Sequence, residues 1–238
     1  MWRIVLMLLV AALTGCQQTP ANQMLRSADD LLQNQAFMPV ETAIETREQI
    51  FKLPEDLVLK ARQEILAYSD PRERSLALLK FIFREQTDPL QYVNNATLTA
   101  LETYQQREAN CLSLTILSYS LARSLGFRAQ FQDVQIPEYW ITRNGTSVLN
   151  GHVNLVVTPP YMQTLAKTFI SADHNFLIDF ERAGGSRERL PVRKISENDI
   201  VALFYNNKAA VSFANEQYAN AYEYYKAAAQ ADPTFSVT

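Results

Sequence analysis

The chain has 238 residues, of which 47% are hydrophobic, an ordinary fraction for a globular protein with a substantial core. Lys and Arg number 22 against 25 Asp and Glu, so the net charge is −3 at pH 7. A mildly acidic chain without a long basic run argues against a nucleic-acid-binding protein, and we expect no nucleic-acid partner.

The chain begins with the pattern of a secretory signal peptide, MWRIVLMLLVAALTG, over residues 1–15. Arg3 supplies a positive charge ahead of an apolar run from Ile4 to Leu13. That run is too short to cross a membrane as a helix, which needs roughly 20 residues. Small residues follow it, as they do before a signal cleavage site.

Residues Leu13 to Cys16, Leu-Thr-Gly-Cys, resemble the lipobox of bacterial lipoproteins. In that family the chain is cut before the cysteine, which becomes an acylated N-terminus. The resemblance implies that Cys16 carries a lipid and anchors the protein to a membrane surface. Gln17 is not the aspartate that usually retains such proteins at the inner membrane, so we expect the periplasmic side of the outer membrane. A plain signal peptide or a core helix is the alternative.

The rest of the chain divides into three segments. Residues 16–24 are polar and predict a tether, and residues 25–200 predict the main domain with a helical lead-in. Residues 201–238 predict a helical hairpin. Without the first 15 residues, about 220 residues remain, enough for one medium domain with such an appendage.

Within the main domain, helical patterns come first and strand patterns second. Residues 25–86 and 97–106 have helical periodicity, whereas alternating apolar and polar residues follow Gly126. Asn144-Gly145 is a strong signal for a hairpin turn between two of these strands. Helices followed by antiparallel strands and then by helices again predict an α+β fold.

A long, almost uncharged helix is predicted to begin at Cys111, with Asn110 as its N-cap and Gly126 just beyond its C-terminus. Once Cys16 is acylated, Cys111 is the remaining cysteine, and an unpaired thiol in an oxidising compartment suggests a reactive residue or an intermolecular bond. The first turn of a helix favours a thiolate. The alternative is a buried, inert cysteine.

The chain has only two histidines, His152 and His174, so few residues could act as the base. His152 lies in a predicted strand, and Asp179 lies in a later one, between two apolar residues. A carboxylate in that position is costly to bury without a partner, and pairing with His152 would satisfy it. Asp173 and His174 form a rival pair in a predicted loop.

The stretch Arg107, Asn110-Cys111-Leu112-Ser113-Leu114, followed by Gly151-His152-Val153 and Ile178-Asp179-Phe180, resembles the transglutaminase-like superfamily. The resemblance covers roughly residues 50 to 182. It implies a papain-like α+β core with Cys111 as nucleophile, His152 as base and Asp179 as orienting residue.

The resemblance departs from the usual pattern at residues 158–175, which form an insertion between the histidine strand and the aspartate strand. The resemblance does not assign both donors of the oxyanion hole. The Cys111 amide is one expected donor, and Gln105 or Gln106 is a candidate for the other. We expect neither a cofactor nor a metal.

Residues 202–235 resemble a tetratricopeptide repeat, because small and aromatic residues fall at the positions of its pattern. Such repeats usually bind proteins, so the resemblance implies a protein partner. A single repeat cannot bury its own face, so it either docks on the main domain or belongs to a longer array. An ordinary helical hairpin is the alternative.

Two functional hypotheses follow. The first is an envelope-located thiol peptidase or amidase, or an acyl transferase, acting on protein or peptide amides through an acyl-enzyme. Hydrolysis is favoured because nothing marks a second-substrate site. Arylamine acetyltransferases have a similar order of Cys, His and Asp, but no feature argues for coenzyme A. The second hypothesis is a non-catalytic envelope scaffold that binds a partner protein through the repeat.

Overall fold

The structure is a computed structural model that describes residues 32–37, 43–83, 89–143, 146–160, 175–179 and 190–234, with the backbone alone for 138–143 and 146–150. The chain divides into two compact units, residues 1–33 and 34–238, and every element below belongs to the second. The predicted signal peptide, Cys16 and the Asp173–His174 pair lie outside the described residues. Among the described helices, none is long and apolar enough to span a membrane.

Three helices form the N-terminal part: α1 (Arg47–Phe51), α2 (Glu55–Ile65) and α3 (Pro71–Phe83). The Thr46 side chain and Gln49 form a capping box at the start of α1. At α3 the Asp70 carboxylate accepts from the backbone N–H groups of the first turn, and Pro71 occupies the first helical position, as predicted.

A small parallel sheet of β1 (Gln91–Tyr92) and β2 (Glu108–Ala109) brackets helix α4 (Ala100–Gln106). Arg107 connects α4 to this sheet with a left-handed backbone, φ 55°. Its buried guanidinium donates to the carbonyl oxygens of Ile82 and Phe83 at the end of α3. Arg107 therefore links the N-terminal helices to the residues just ahead of Cys111.

The central helix α5 (Cys111–Ser124) begins and ends where the sequence predicts. The Asn110 side chain accepts from the Ser113 N–H at 2.8 Å and caps the N-terminus. At the other end Gly126 has φ 80°, and the Phe127 N–H donates to the Ala122 carbonyl at 2.9 Å. The Gly126 N–H donates to the Arg123 carbonyl, which completes a Schellman motif.

Helix α5 packs against a four-stranded antiparallel sheet of the described strands, in the order β5-β4-β3-β6. These strands are β3 (Arg128–Arg143), β4 (Thr146–Thr158), β5 (Phe176–Ile178) and β6 (Val192–Ile195). Buried side chains of β3, β4, β5 and β6 join those of α5 in one hydrophobic core: Phe131, Leu155, Val157, Ile178 and Ile195. The α+β class is therefore confirmed.

The long β3–β4 pair differs in one respect from the predicted strands. Alternation over residues 128–136 and again over 138–144 predicts two strands separated by Pro137, but β3 continues through this region as one strand with a register shift between Val134 and Tyr139. Proline donates no backbone hydrogen bond, so an irregularity of the pairing accommodates it. Residues 144–145, the predicted hairpin turn, lie outside the described residues, and the strands on both sides of them are paired.

Two further helices, α6 (Glu197–Ala214) and α7 (Tyr218–Ala231), pack against each other and end the described chain. Helix α6 begins before the predicted boundary at residue 201, with Ser196 and Asp199 forming a capping box. Buried residues of both helices, among them Phe204, Tyr205 and Tyr224, belong to the same core as α5. The pair is therefore docked on the α+β domain.

Candidate active site

Cys111 is the first residue of α5 and is partly exposed. Its position follows from the N-cap: Asn110 has an extended backbone, so the chain turns into the helix at the cysteine. The cap uses the N–H of Ser113 and does not occupy the N–H of Cys111. The thiol therefore lies at the positive end of the helix dipole, beside backbone donors that have no intrahelical acceptor.

The loop before α4 is bound to the first turn of α5 by side-chain hydrogen bonds. Ser113 Oγ donates to the Ala96 carbonyl at 2.6 Å and accepts from the Leu98 N–H at 2.8 Å. The amide of Asn110 donates to Thr97 Oγ1 at 3.0 Å. Because Asn110, Ser113 and Thr97 are buried, these bonds hold the backbone around Cys111 in one position.

His152 lies on β4 opposite Val134 of β3, at the last pair before the register shift. It is only 4% exposed. Its Nε2 atom is 2.8 Å from Asp179 Oδ1, and the Cys111 side chain also forms a hydrogen bond with the imidazole. Because Nε2 contacts Asp179, Nδ1 is the ring nitrogen that can exchange a proton with the Cys111 thiol.

Burial alone would lower the pKa of His152, since it disfavours the charged ring. Hydrogen bonds and electrostatic interactions with Asp179 and Cys111 outweigh burial and raise the pKa of His152 to about 10. The imidazole is therefore protonated at neutral pH in the free protein. A cationic ring beside the cysteine is the arrangement that stabilises a thiolate.

Asp179 is the first residue after β5. Strand β5 pairs with β4 through Leu155 and Ile178, which brings Asp179 alongside His152 and Asn154. One carboxylate oxygen, Oδ1, faces His152, and the other, Oδ2, lies 3.3 Å from the amide nitrogen of Asn154. The structure thus joins His152 and Asp179, which are distant in the sequence, by an ion pair.

Helix α5 and strand β4 are also joined next to the histidine. Thr115, one turn after Cys111 on α5, donates from Oγ1 to the Val153 carbonyl at 3.5 Å. Residues one turn apart lie on the same side of a helix, so this contact places the Cys111 side of α5 toward β4. The approach of the thiol to His152 is therefore a consequence of how α5 lies on the sheet.

The remaining predicted site residues have other locations. Gln105 and Gln106 are exposed at the end of α4, and no described hydrogen bond ties either of them to Cys111. Either remains a prediction as the second oxyanion donor. Within the described ranges, no group of three or more His, Cys, Asp and Glu side chains has the spacing of a metal site.

Sequence reasoning missed the role of Asn154, which contacts Asp179, and of Thr97, which contacts Asn110. The spacing of His152 and Asn154, two residues apart in a strand, places both on one face and was the available signal for the first. Thr97 lies in a loop whose path depends on tertiary packing, and nothing local to it indicates its partner.

Comparisons of the chain with protein-family models, with curated proteins and with solved structures find no match. The interpretation of this site therefore depends on its residues and their geometry.

Proposed function

We propose that the protein is an envelope lipoprotein whose transglutaminase-like domain cleaves amide bonds of proteins or peptides through Cys111. The observation that carries the proposal is the hydrogen bond of 2.8 Å between His152 Nε2 and Asp179 Oδ1 beside the Cys111 thiol. A nucleophile, a base in contact with it, and a carboxylate that orients the base are the parts that thiol acyl transfer requires.

The papain-like assignment is part of this proposal. Its support is the order of the elements: a buried helix that starts at the cysteine, then a strand that carries the histidine, then a neighbouring strand that ends at the aspartate. The antiparallel sheet against which α5 packs is consistent with that core.

In the proposed reaction, the sulfur of Cys111 attacks the carbonyl carbon of an amide, and the carbonyl oxygen becomes an oxyanion. The N–H of Cys111 at the start of α5 is one donor for that oxyanion. Protonated His152 then gives its proton to the leaving nitrogen, so the C–N bond breaks and a thioester remains. Neutral His152 next takes a proton from water, whose oxygen attacks the thioester carbon. The C–S bond then breaks, the acid is released, and the Cys111 thiolate and protonated His152 are restored.

The envelope location and the membrane contact through a lipid on Cys16 are proposals that depend on the N-terminal sequence. That location makes proteins or cell-wall peptides of the periplasm the substrate class. An amine in place of water would convert the same acyl-enzyme into a transferase, and the two are separated by whether the product is an acid or a new amide.

The competing function is a non-catalytic scaffold that binds a partner protein through the tetratricopeptide-like pair α6–α7. One observation favours it: Phe213, Tyr218 and Tyr225 of this pair are large aromatic side chains with 40% or more of their surface exposed. A scaffold predicts an inert Cys111 whose reactivity does not depend on His152.

The test is the rate of iodoacetamide alkylation of Cys111 as a function of pH, read by peptide mass spectrometry on the full chain. An ordinary cysteine thiol ionises near pH ~8.5. We expect rapid alkylation well below neutral pH in the wild type, and loss of that low-pH reaction in His152→Ala and in Asp179→Ala.

Asp133→Ala is the matched control, because the Asp133 carboxylate pairs with Arg193 on the neighbouring strands β3 and β6. It should leave the alkylation profile unchanged. A thiol that reacts like a free cysteine in all four proteins would exclude the enzyme and favour the scaffold.

A further inference from the structure

We propose that Asn154 is a positioning residue of this site, whose side-chain amide holds the Asp179 carboxylate in the orientation that receives His152 Nε2. The inference rests on the proposed function, because it concerns how the base of that reaction is oriented.

The first argument is the geometry of the carboxylate. Asn154 Nδ2 lies 3.3 Å from Asp179 Oδ2, while His152 Nε2 lies 2.8 Å from Asp179 Oδ1. Strand β5 ends at Ile178, so the strand pairing does not extend to Asp179. Two hydrogen bonds from side chains of β4, one to each oxygen, therefore fix the rotation of the carboxylate about its own bond.

The second argument is the environment of the asparagine. Asn154 is 3% exposed, and its Oδ1 atom is buried without a hydrogen-bond partner among the described residues. An unsatisfied buried acceptor destabilises the folded state. A leucine, which has a similar size, would place no polar acceptor here and would avoid that cost. Turning the amide over would place Oδ1 against the carboxylate, so contact with Asp179 dictates the orientation that leaves Oδ1 unsatisfied.

The third argument is the chemistry of the donor. A neutral amide orients the carboxylate without cancelling its charge. A lysine or arginine in this position would compete with the imidazolium for that charge and would lower the pKa of His152. Asn154 is therefore suited to hold Asp179 while leaving its charge to act on the histidine.

The experiment uses Asn154→Leu in the full chain, with three measurements. These are the free energy of unfolding, the pH profile of Cys111 alkylation, and the titration of the His152 ring nitrogens by ¹⁵N NMR. The chain has only two histidines, so His174→Gln as a background leaves His152 as the sole imidazole signal.

We expect a folded variant whose stability is equal to or higher than that of the wild type. Alkylation at pH 6 should fall roughly fivefold to tenfold, the equivalent of one hydrogen bond. The His152 titration midpoint should move to lower pH, because a misdirected carboxylate stabilises the imidazolium less. A purely structural role for Asn154 would change stability and leave the histidine titration unchanged.

A folded Asn154→Leu protein with the wild-type alkylation profile and the wild-type His152 titration would overturn the inference. If leucine prevents folding, Asn154→Ala, which only removes atoms, is measured in the same way with the same two outcomes. An inert Cys111 in the wild type would defeat the proposed function instead, and the His152 titration would still decide whether Asn154 positions Asp179.

Discussion

At the scale of single residues, the site depends on which charges are placed next to a buried imidazole. His152 is buried, and burial by itself would leave its ring neutral at neutral pH. Asp179 on one side and Cys111 on the other reverse that preference and keep the proton on the ring. In the proposed reaction, this is the proton that the leaving nitrogen would receive.

The raised pKa of His152 also makes a prediction about stability. The pKa is about 10 in the folded protein and about 6.5 in an unfolded chain, so the folded state holds the proton more tightly. The resulting stabilisation is fully present below about pH 6.5 and is lost as pH rises through about 10. We expect His152→Gln to cost at least about 1 kcal/mol more at pH 6 than at pH 10.

The measurement is urea unfolding of wild type and His152→Gln at both pH values. Subtracting the variant cancels the groups whose titration does not depend on His152. An equal difference between the two proteins at pH 6 and pH 10 would contradict the assignment of the raised pKa to His152.

At the scale of single elements, two helices end in the same way with different residues. Helix α5 ends in a Schellman motif with Gly126 at φ 80°. Helix α6 ends in the same motif, because the Gln217 N–H donates to the Ser212 carbonyl and the Glu216 N–H donates to Phe213. There the left-handed position, φ 60°, is taken by Glu216. A side chain makes this conformation unfavourable, and glycine does not have that cost.

Opposite effects on stability follow for the two positions. Glu216→Gly should stabilise the protein by roughly 0.5–1 kcal/mol, since Glu216 is exposed and only the backbone conformation is changed. Gly126→Ala should destabilise it by about 1 kcal/mol. The nearest heavy atom to the added methyl group would be Pro160 Cβ at 4.0 Å, so backbone strain and not a clash is the cause.

Thermal and urea unfolding of the two variants test this pair. A loss of stability in Glu216→Gly would mean that the entropy that glycine adds to the unfolded chain exceeds the relief of backbone strain.

At the scale of the whole molecule, polar contacts attach the α6–α7 pair to the domain that carries the site. Glu197, in the first turn of α6, accepts from Arg47 at 2.8 Å and from the Tyr119 hydroxyl of α5 at 2.8 Å. Burial and the bond to Glu197 raise the pKa of Tyr119 to about 12, so its hydroxyl keeps donating at any physiological pH. The catalytic helix of the proposed site and the helical pair are therefore parts of one folded unit.

Glu45 makes a second attachment between the α6–α7 pair and the rest of the domain. Its carboxylate accepts from the Tyr224 hydroxyl of α7 at 3.0 Å and pairs with Lys208 of α6 at 3.0 Å. Glu45→Ala leaves a partly buried hydroxyl and a partly buried ammonium without this acceptor, so we expect a loss of about 2 kcal/mol. The unfolding transition of Glu45→Ala, followed by tyrosine fluorescence and by circular dichroism, should show the same loss of stability with both probes.

Glu223→Ala is the matched control for Glu45→Ala. Glu223 pairs with Lys226 within α7 at 3.7 Å, three residues apart on the helix surface, so its removal should change stability by less than about 0.5 kcal/mol. Equal effects of the two substitutions would show that the Glu45 contacts do not attach the helical pair.

The amino-acid sequence alone determined the features that depend on neighbouring residues. Capping residues, turn residues and hydrophobic periodicity predict the α+β class, the start of α5 at Asn110-Cys111 and its end at Gly126, because these signals act within a few residues. The sequence also predicted the pairing of His152 with Asp179, since a charged group among apolar residues requires a partner. That prediction needed the identity of the residues and not their coordinates.

Tertiary structure alone decided the contacts between distant segments. Strand β6 was not predicted, and it exists because β3 offers it an edge for pairing. The same holds for three other contacts between distant residues: the β1–β2 sheet, the Arg107 contacts with α3 and the bond from Asn154 to Asp179. The local sequence around these residues does not indicate which residue each will contact. A short strand or a polar side chain has many possible partners, and packing of the whole core selects one of them.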